Sequence, residues 1–190
     1  MEHFYYNIGE DWFSYPQLYT SMVNRFEDNS HFVEVGSWKG RSAAFMGVEI
    51  LNSGKKIKFD CIDTFEGSIE HLDPNSPYYN EDLIKEKGWL YNEFLNNISP
   101  VKEIINPIVG ISWEAASLYE NNSLDFVFLD AAHDYESVKK DLNSWLPKVK
   151  VGGVFAGHDI PYFEVFNAVN EFFGIENVRI QENCWIYEKQ

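Results

Sequence analysis

Carboxylates and imidazoles recur directly after apolar, strand-like runs of this chain. The run LDFVFLD ends in Asp130 and is followed by His133, and the run VGGVFAG is followed by His158 and Asp159. In a parallel sheet these ends meet at one edge, so the four side chains are predicted to face one cleft. Carboxylate oxygens with imidazole suit Mg²⁺, Mn²⁺ or Ca²⁺, whereas iron or zinc would use more nitrogen ligands. Without a metal, the cluster needs a proton to offset its like charges. Alternatively, Asp134 caps the following helix and His158 is a hydrogen-bonded turn residue.

A glycine-bearing turn in the stretch EVGSWKG is a second candidate site. Glu34 closes an apolar run, and Gly36 and Gly40 bracket a turn where a ligand can approach bare backbone. N–H groups of the turn, and of the helix predicted after it, could bind a carboxylate or phosphate. Trp38 replaces the middle glycine of the dinucleotide pattern G-x-G-x-x-G, which argues against NAD and favours a smaller, phosphate-free ligand. A plain strand-to-helix connection fits the same pattern.

An acidic residue also follows the next apolar run. Asp63 ends KFDCID at a distance after Gly36 that suits a carboxylate accepting hydrogen bonds from ribose hydroxyls. Alternatively, Asp63 caps the turn before Glu66 and Gly67. Further polar or aromatic groups at predicted strand ends are Ser37, Thr64, Ser112 and Trp113.

The elements that must position these residues follow from hydrophobic patterning. Strand-like runs occupy residues 32–35, 57–62, 103–109, 124–129, 153–156, 177–180 and 184–187. Long connections separate the first five runs, as right-handed parallel crossovers require, and residues 181–183 join the last two as a hairpin. We therefore predict a Rossmann-like, doubly wound α/β fold with seven strands, mostly parallel, ending in a C-terminal antiparallel hairpin. At 190 residues, the chain is expected to form one domain over 1–190, with a helical cap at 1–29 and a core at 30–190.

Two segments lie outside this alternation. Residues 4–26 carry the aromatic side chains Trp12, Phe13, Tyr15 and Tyr19, with Pro16 suited to the first position of a helix. This segment is expected to cap the cleft, to pack on the sheet edge, or both. Residues 67–79 are predicted to be a long polar loop, a kind of loop that is commonly functional.

Composition excludes several classes of partner. The formal net charge is −15 and basic residues do not cluster, which argues against a nucleic-acid partner and favours a small neutral or cationic substrate. The acidity could also serve solubility alone. Without an apolar run of about 18 residues or a signal peptide, no membrane association is expected, and the chain is predicted to be cytoplasmic. Cys61 and Cys184 lie in apolar runs and are predicted to be buried free thiols.

Several of these stretches together resemble one family. EVGSWKGRSA, IDTFEG and, most specifically, LDAAHDYESVKKDL with VGGVFAGHD resemble the class I S-adenosylmethionine-dependent methyltransferases, over roughly residues 30–188. The resemblance is to the small-molecule O-methyltransferases that include macrocin and mycinamicin O-methyltransferases, with cephalosporin hydroxylase-like relatives. It implies O-methylation of a small-molecule hydroxyl, assisted by Mg²⁺ or another divalent cation. Many relatives assemble, so a homo-oligomer is compatible with it.

The resemblance also implies roles for individual residues. Asp130 corresponds to the acid at the active-site end of the fourth strand, and His133 to the general base. Asp130, His158 and Asp159 correspond to the metal ligands, although macrolide-type members usually have a carboxylate in place of His158. The implied S-adenosylmethionine contacts are Glu34, Gly36, Ser37, Trp38, Gly40, Ser42, Asp63, Thr64, Ser112, Trp113 and Asp130.

Two alternatives to an O-methyltransferase stay open. One is a non-catalytic S-adenosylmethionine-binding protein, which the set of strand-end acids and imidazoles disfavours. The other is a nicotinamide-dependent oxidoreductase on a similar sheet, which the missing middle glycine and the terminal hairpin disfavour.

Overall fold

The strands alternate with helices and form one mixed sheet. A computed structural model describes residues 1–10 and 12–190. Within these residues, seven strands pair in the order β3-β2-β1-β4-β5-β7-β6. The strands are β1 (His31–Val35), β2 (Lys58–Asp63), β3 (Ile105–Val109), β4 (Leu124–Leu129), β5 (Val149–Gly157), β6 (Arg179–Gln181) and β7 (Cys184–Glu188). Strands β1 to β5 run parallel, and β7 is antiparallel to both β5 and β6. The predicted fold, including its C-terminal hairpin, is confirmed.

Several strand bounds depart in detail from the prediction. Strand β3 begins at Ile105 rather than at residue 103, and β6 spans Arg179–Gln181 rather than 177–180. Strand β5 begins at Val149 rather than at Gly153, because Val149 already pairs with Leu124 before the register shifts at an irregularity. Glycines within the run therefore mark a bulge and not a strand boundary. The hairpin turn is formed by Glu182 and Asn183, with φ of 51° and 64°, the backbone of a tight two-residue turn.

Helices cover both faces of the sheet. They are α1 (Pro16–Arg25), α2 (Arg41–Ser53), α3 (Ile69–Leu72), α4 (Asp82–Lys85), α5 (Trp89–Asn97), α6 (Ser112–Ala115), α7 (Tyr135–Trp145) and α8 (Phe163–Phe173). Pro16 begins α1, as predicted. Asp134 caps α7, its side chain accepting a hydrogen bond from the Ser137 backbone N–H at 3.0 Å.

The segment at residues 67–79 was expected to be a loop and contains the single-turn helix α3. Ser68 and His71 form a reciprocal capping box around its first turn, which explains why so short a helix forms here. The prediction of an irregular loop is therefore wrong for Ile69–Leu72.

Alternate residues of the central strands supply two cores, because successive side chains of a strand point to opposite faces. Phe32 and Phe126 join the core under α1, α2 and α5, whereas Val33 and Val127 join the core under α7 and α8. Cys61 and Cys184 are buried free thiols, as predicted. No helix in the described part of the chain has the length and apolarity needed to cross a membrane.

Candidate functional site

Strand register brings the predicted site residues to one edge of the sheet. Val35 at the end of β1 pairs with Ile62 of β2 and with Leu129 of β4, and Leu129 pairs with Gly157 of β5. The residues that follow these strand ends lie side by side, because parallel strands in register end at the same level. The residues brought together in this way are Gly36, Asp63, Asp130 and His158.

Asp130, His133, His158 and Asp159 form what we call the acid–imidazole cluster. Nε2 of His133 lies 2.9 Å from Oδ2 of Asp159. Nδ1 of His158 lies 3.3 Å from Oδ1 of Asp159 and 3.6 Å from Oδ1 of Asp130. Asp159 has a φ of 58°, a left-handed conformation that is uncommon outside glycine and is often found at functional sites. The sequence prediction that these four side chains face one cleft agrees with this geometry.

The spacing within the cluster suits a metal ion. One ligand atom each of Asp130, His133 and Asp159 lies within 4.8 Å of the others, among the residues that the structure describes. The family resemblance implies His158 as the ligand beside the two aspartates, whereas this set contains His133 in its place. Two carboxylates with one imidazole form an oxygen-rich donor set, which fits Mg²⁺, Mn²⁺ or Ca²⁺.

The charges of the cluster strongly affect its protonation. Burial favours neutral imidazoles, but the nearby carboxylates of Asp159, Asp130 and Glu70 outweigh it and raise the pKa of His133 to about 9. Asp130 and Asp159 likewise raise the pKa of His158 to about 10, against the effect of burial. Burial would raise the pKa of Asp159, but its two imidazole neighbours hold it well below the ordinary value. These carboxylates favour the protonated imidazole of His133, and the base role predicted for it requires that proton to leave first.

The N-terminal segment supports the cluster from outside the sheet. The Tyr15 hydroxyl donates to Oδ2 of Asp130 at 2.8 Å, and Oγ of Ser14 lies 3.0 Å from Nε2 of His158. The sequence predicts an aromatic segment over the cleft or the sheet edge, but it does not predict these contacts. Nothing in the local sequence indicates which strand end each of them meets.

Glu34 is buried beneath the glycine turn, with 1% of its surface exposed. Its Oε2 accepts a hydrogen bond from the Tyr19 hydroxyl at 2.7 Å. Its Oε1 and the Oγ of Ser37 are buried without a hydrogen-bond partner among residues 1–10 and 12–190. Burial raises the pKa of Glu34 to about 7, although the hydrogen bond from the Tyr19 hydroxyl opposes the shift.

Gly36 is required by the close approach of two strand ends. Its φ is 88°, and a Cβ at this position would overlap the carbonyl oxygen of Asp130. Only glycine allows the turn after β1 to pack so closely against the end of β4.

Asp63 acts as a cap for the glycine turn. Its Oδ2 accepts the backbone N–H of Trp38 at 2.8 Å and its Oδ1 accepts that of Phe65 at 2.7 Å. Burial nevertheless raises the pKa of Asp63. The N–H groups of Gly36 and Gly40 donate to carbonyl oxygens of the chain. The expectation that the turn itself offers free N–H groups is therefore wrong at Gly36, Trp38 and Gly40, because chain atoms already accept from them.

The segment at residues 67–79 packs against this edge of the sheet. The ring of Trp38 stacks on that of His71 at 4.2 Å between centroids, and Trp12 lies 6.0 Å from Tyr78. Oε1 of Glu70 lies 3.5 Å from Nδ1 of His133. Thr64, at the start of this connection, accepts the Glu66 backbone N–H through its hydroxyl at 3.3 Å.

Ser112 and Trp113 contact α7. The Ser112 hydroxyl donates to the buried carboxylate of Asp141, and the Lys140 ammonium lies 4.6 Å from the Trp113 ring centroid. Burial raises the pKa of Asp141 to about 7. Asp141 lines a cavity of about 20 Å³ together with Asp130, His133 and His158 of the acid–imidazole cluster. Asp141 is not among the residues predicted from the sequence, because it looks like an ordinary polar residue of an amphipathic helix.

Comparisons with known proteins agree with this arrangement. A family model described as "Methyltransferase domain" matches residues 33–160, a range that contains both the glycine turn and the acid–imidazole cluster. The uncharacterized protein R132 of Acanthamoeba polyphaga mimivirus is 25% identical over 174 residues, which cover 86% of this chain and 69% of that protein.

Solved structures share the fold at low sequence identity. The O-methyltransferase NovP matches with a TM-score of 0.66 and 18% identity, covering 92% of this chain and 79% of its own. The calicheamicin methyltransferase CalS11 matches with a TM-score of 0.60 and 16% identity, covering 91% of this chain and 76% of its own. Fibrillarin of Aeropyrum pernix, solved with natively bound S-adenosyl-L-methionine, matches with a TM-score of 0.52 and 12% identity. The match covers 90% of this chain and 72% of the fibrillarin chain.

Proposed function

The chain belongs to the methyltransferase-domain family, and on that premise we propose that it transfers a methyl group from S-adenosylmethionine to a hydroxyl oxygen of a small molecule. One observation carries the proposal. The acid–imidazole cluster lies at the same sheet edge as the glycine turn, so a methyl donor at the turn and a hydroxyl at the cluster would be neighbours.

The residues around the glycine turn fit a cationic cofactor. S-adenosylmethionine supplies a methyl group on a positively charged sulfur and also carries an ammonium group. The acids Glu34, Asp63 and Asp130 stand at the ends of three adjacent strands and would stabilise these charges. Oε1 of Glu34 and Oγ of Ser37, the unpartnered atoms described above, would gain hydrogen bonds.

A ribose contact at Asp63 is compatible with its capping role. Each of its oxygens accepts one backbone N–H, and a carboxylate has about four acceptor positions. The remaining proposed cofactor contacts are Gly36, Trp38, Gly40, Ser42, Thr64, Ser112 and Trp113.

The acid–imidazole cluster would prepare the acceptor. Asp130, Asp159 and His158 would hold a divalent cation, which when bound would lower the pKa of a nearby hydroxyl, and His133 would stay outside the ligand set. His133, whose side chain is 35% exposed, is proposed to take the proton of the hydroxyl while the new O–C bond forms and the C–S bond breaks. Holding the reacting atoms in line is worth about 7–11 kcal/mol in well-oriented reactions, and a general base adds about 10²–10⁴-fold.

The test combines binding with turnover. Calorimetric titration with S-adenosylmethionine should show binding, and methyl transfer from labelled cofactor should be detected in a panel of small hydroxyl compounds with Mg²⁺. His133→Ala should bind the cofactor as the parent does and lose turnover by at least about 10²-fold.

His3→Ala is the matched control for this variant. Nε2 of His3 lies 2.9 Å from Oε1 of Glu49, in an imidazole–carboxylate pair outside the proposed site. His3→Ala should therefore bind the cofactor and transfer the methyl group as the parent does. Equal turnover of His133→Ala and the parent would remove His133 as the base. Cofactor binding without transfer to any acceptor would favour a non-catalytic binding protein, and binding of NADH alone would favour an oxidoreductase.

A further inference from the structure

Tyr15 connects the N-terminal segment to the acid–imidazole cluster. It immediately precedes α1, and only 2% of its surface is exposed. Its ring centroid lies 4.5 Å from that of Phe128, 4.7 Å from that of Phe13 and 4.9 Å from that of His158. Packing on these sides holds the ring in one place, so the position of its hydroxyl is fixed as well.

The hydroxyl of Tyr15 selects one orientation of the Asp130 carboxylate. It donates to Oδ2 at 2.8 Å, while Oδ1 lies on the side of His158, 3.6 Å from its Nδ1. Hydrogen bonds to a charged acceptor are stronger than neutral ones, and this one opposes rotation of the carboxylate. One oxygen is therefore held by the N-terminal segment, and the other is directed toward the cluster.

The preceding residue acts on a second member of the cluster. Oγ of Ser14 lies 3.0 Å from Nε2 of His158, while Nδ1 of the same ring lies 3.3 Å from Asp159. The adjacent residues Ser14 and Tyr15 thus contact two different members of the cluster, His158 and Asp130. Such contacts to metal ligands set their orientation and commonly change metal affinity by 10–100-fold.

We propose that Tyr15, assisted by Ser14, is a positioning residue that orients Asp130 for cation binding. The inference rests on the proposed function, because it assigns the N-terminal segment a role in the proposed centre and not only in covering it. A residue needed only to fill the core would serve equally well as phenylalanine, since the ring makes all the packing contacts. The hydroxyl is therefore the atom to test.

The experiment measures Mn²⁺ affinity of the full chain by electron paramagnetic resonance, without cofactor or acceptor. Tyr15→Phe should bind Mn²⁺ at least about 10-fold more weakly than the parent. Tyr119→Phe is the matched control, because Tyr119 is also buried and donates to a carboxylate, Asp60, at 2.7 Å outside the cluster. This control should bind Mn²⁺ as the parent does, and urea unfolding of both variants checks that they are folded.

The outcomes separate this inference from the proposed function. If Tyr15→Phe is folded and binds Mn²⁺ with the affinity of the parent, the positioning role is wrong and the proposed function is unaffected. If Tyr15→Phe does not fold, Ser14→Ala decides, because Ser14 is exposed: weaker binding supports the inference and unchanged binding overturns it. If the parent itself binds no Mn²⁺, the cation part of the proposed function fails and this inference fails with it.

Discussion

Replacing Glu34 by glutamine should change how the stability of the protein depends on pH. Glu34 is buried, and its pKa is raised from 4.5 to about 7 in the folded protein. Between these values the folded state binds more protons than the unfolded chain, so the contribution of this group to stability is complete below pH 4.5 and decreases as pH rises to about 7. The full difference corresponds to about 3 kcal/mol, because one pKa unit is worth about 1.4 kcal/mol.

The assay is urea unfolding of the parent and Glu34→Gln at pH 5.5 and pH 8, both above the sequence pI of about 4.6. Glutamine is neutral at both values and still accepts the Tyr19 hydrogen bond. Relative to the parent, the free energy of unfolding of the variant should be about 2 kcal/mol higher at pH 8 than at pH 5.5, because only the parent loses stability as pH rises. Comparing the two proteins at each pH removes the contributions of groups that titrate in both, including Asp141.

Asp60→Asn is the matched control for this experiment. Asp60 is also buried, but hydrogen bonds from His31, Asn106 and Tyr119 outweigh burial and lower its pKa. It is therefore ionised at both pH values in the folded and unfolded states. Because its partner His31 could titrate between these values, the control is made in a His31→Gln background, where Asp60→Asn should destabilise the protein by the same amount at each pH. If Glu34→Gln also shows equal differences at the two pH values, Glu34 is not held protonated by burial and the reasoning is refuted.

Two further predictions concern stability. Gly36→Ala should lower the free energy of unfolding in urea by about 3–5 kcal/mol or prevent folding, because the cost of a left-handed backbone adds to a clash with the Asp130 carbonyl. Gly54→Ala is the control. Its φ is 70° but the new methyl meets open space, so it should cost only about 1 kcal/mol. Asp134→Ala should destabilise the protein by about 1 kcal/mol in thermal unfolding through loss of the α7 cap. An equal loss in Glu136→Ala, two residues further on in the first turn of the same helix, would show that the cap contributes nothing specific.

Much of the fold could be predicted from the sequence, because hydrophobic period and connection length are local properties. The separated apolar runs indicated parallel strands, and the short link near residue 182 indicated the hairpin. Strand ends that carry Asp130 and Asp159 were expected to meet, because strands in register deliver their following residues to one edge. The errors arose where local signals were ambiguous: glycines inside β5 looked like a boundary, and a capping box at Ser68 turned part of an expected loop into α3.

The sequence alone thus determined the sheet, the edge at which the site forms and most of the acids and imidazoles that stand there. Only the tertiary structure decided which side chains support them. Tyr15 and Asp130 are 115 residues apart in the chain, and Ser14 and His158 are 144 apart. No periodicity within a segment encodes such a pairing, because it depends on where the N-terminal segment comes to rest against the completed sheet. For the same physical reason, the capping of the glycine turn by Asp63 and the contacts of residues 67–79 became visible only once distant segments were packed together.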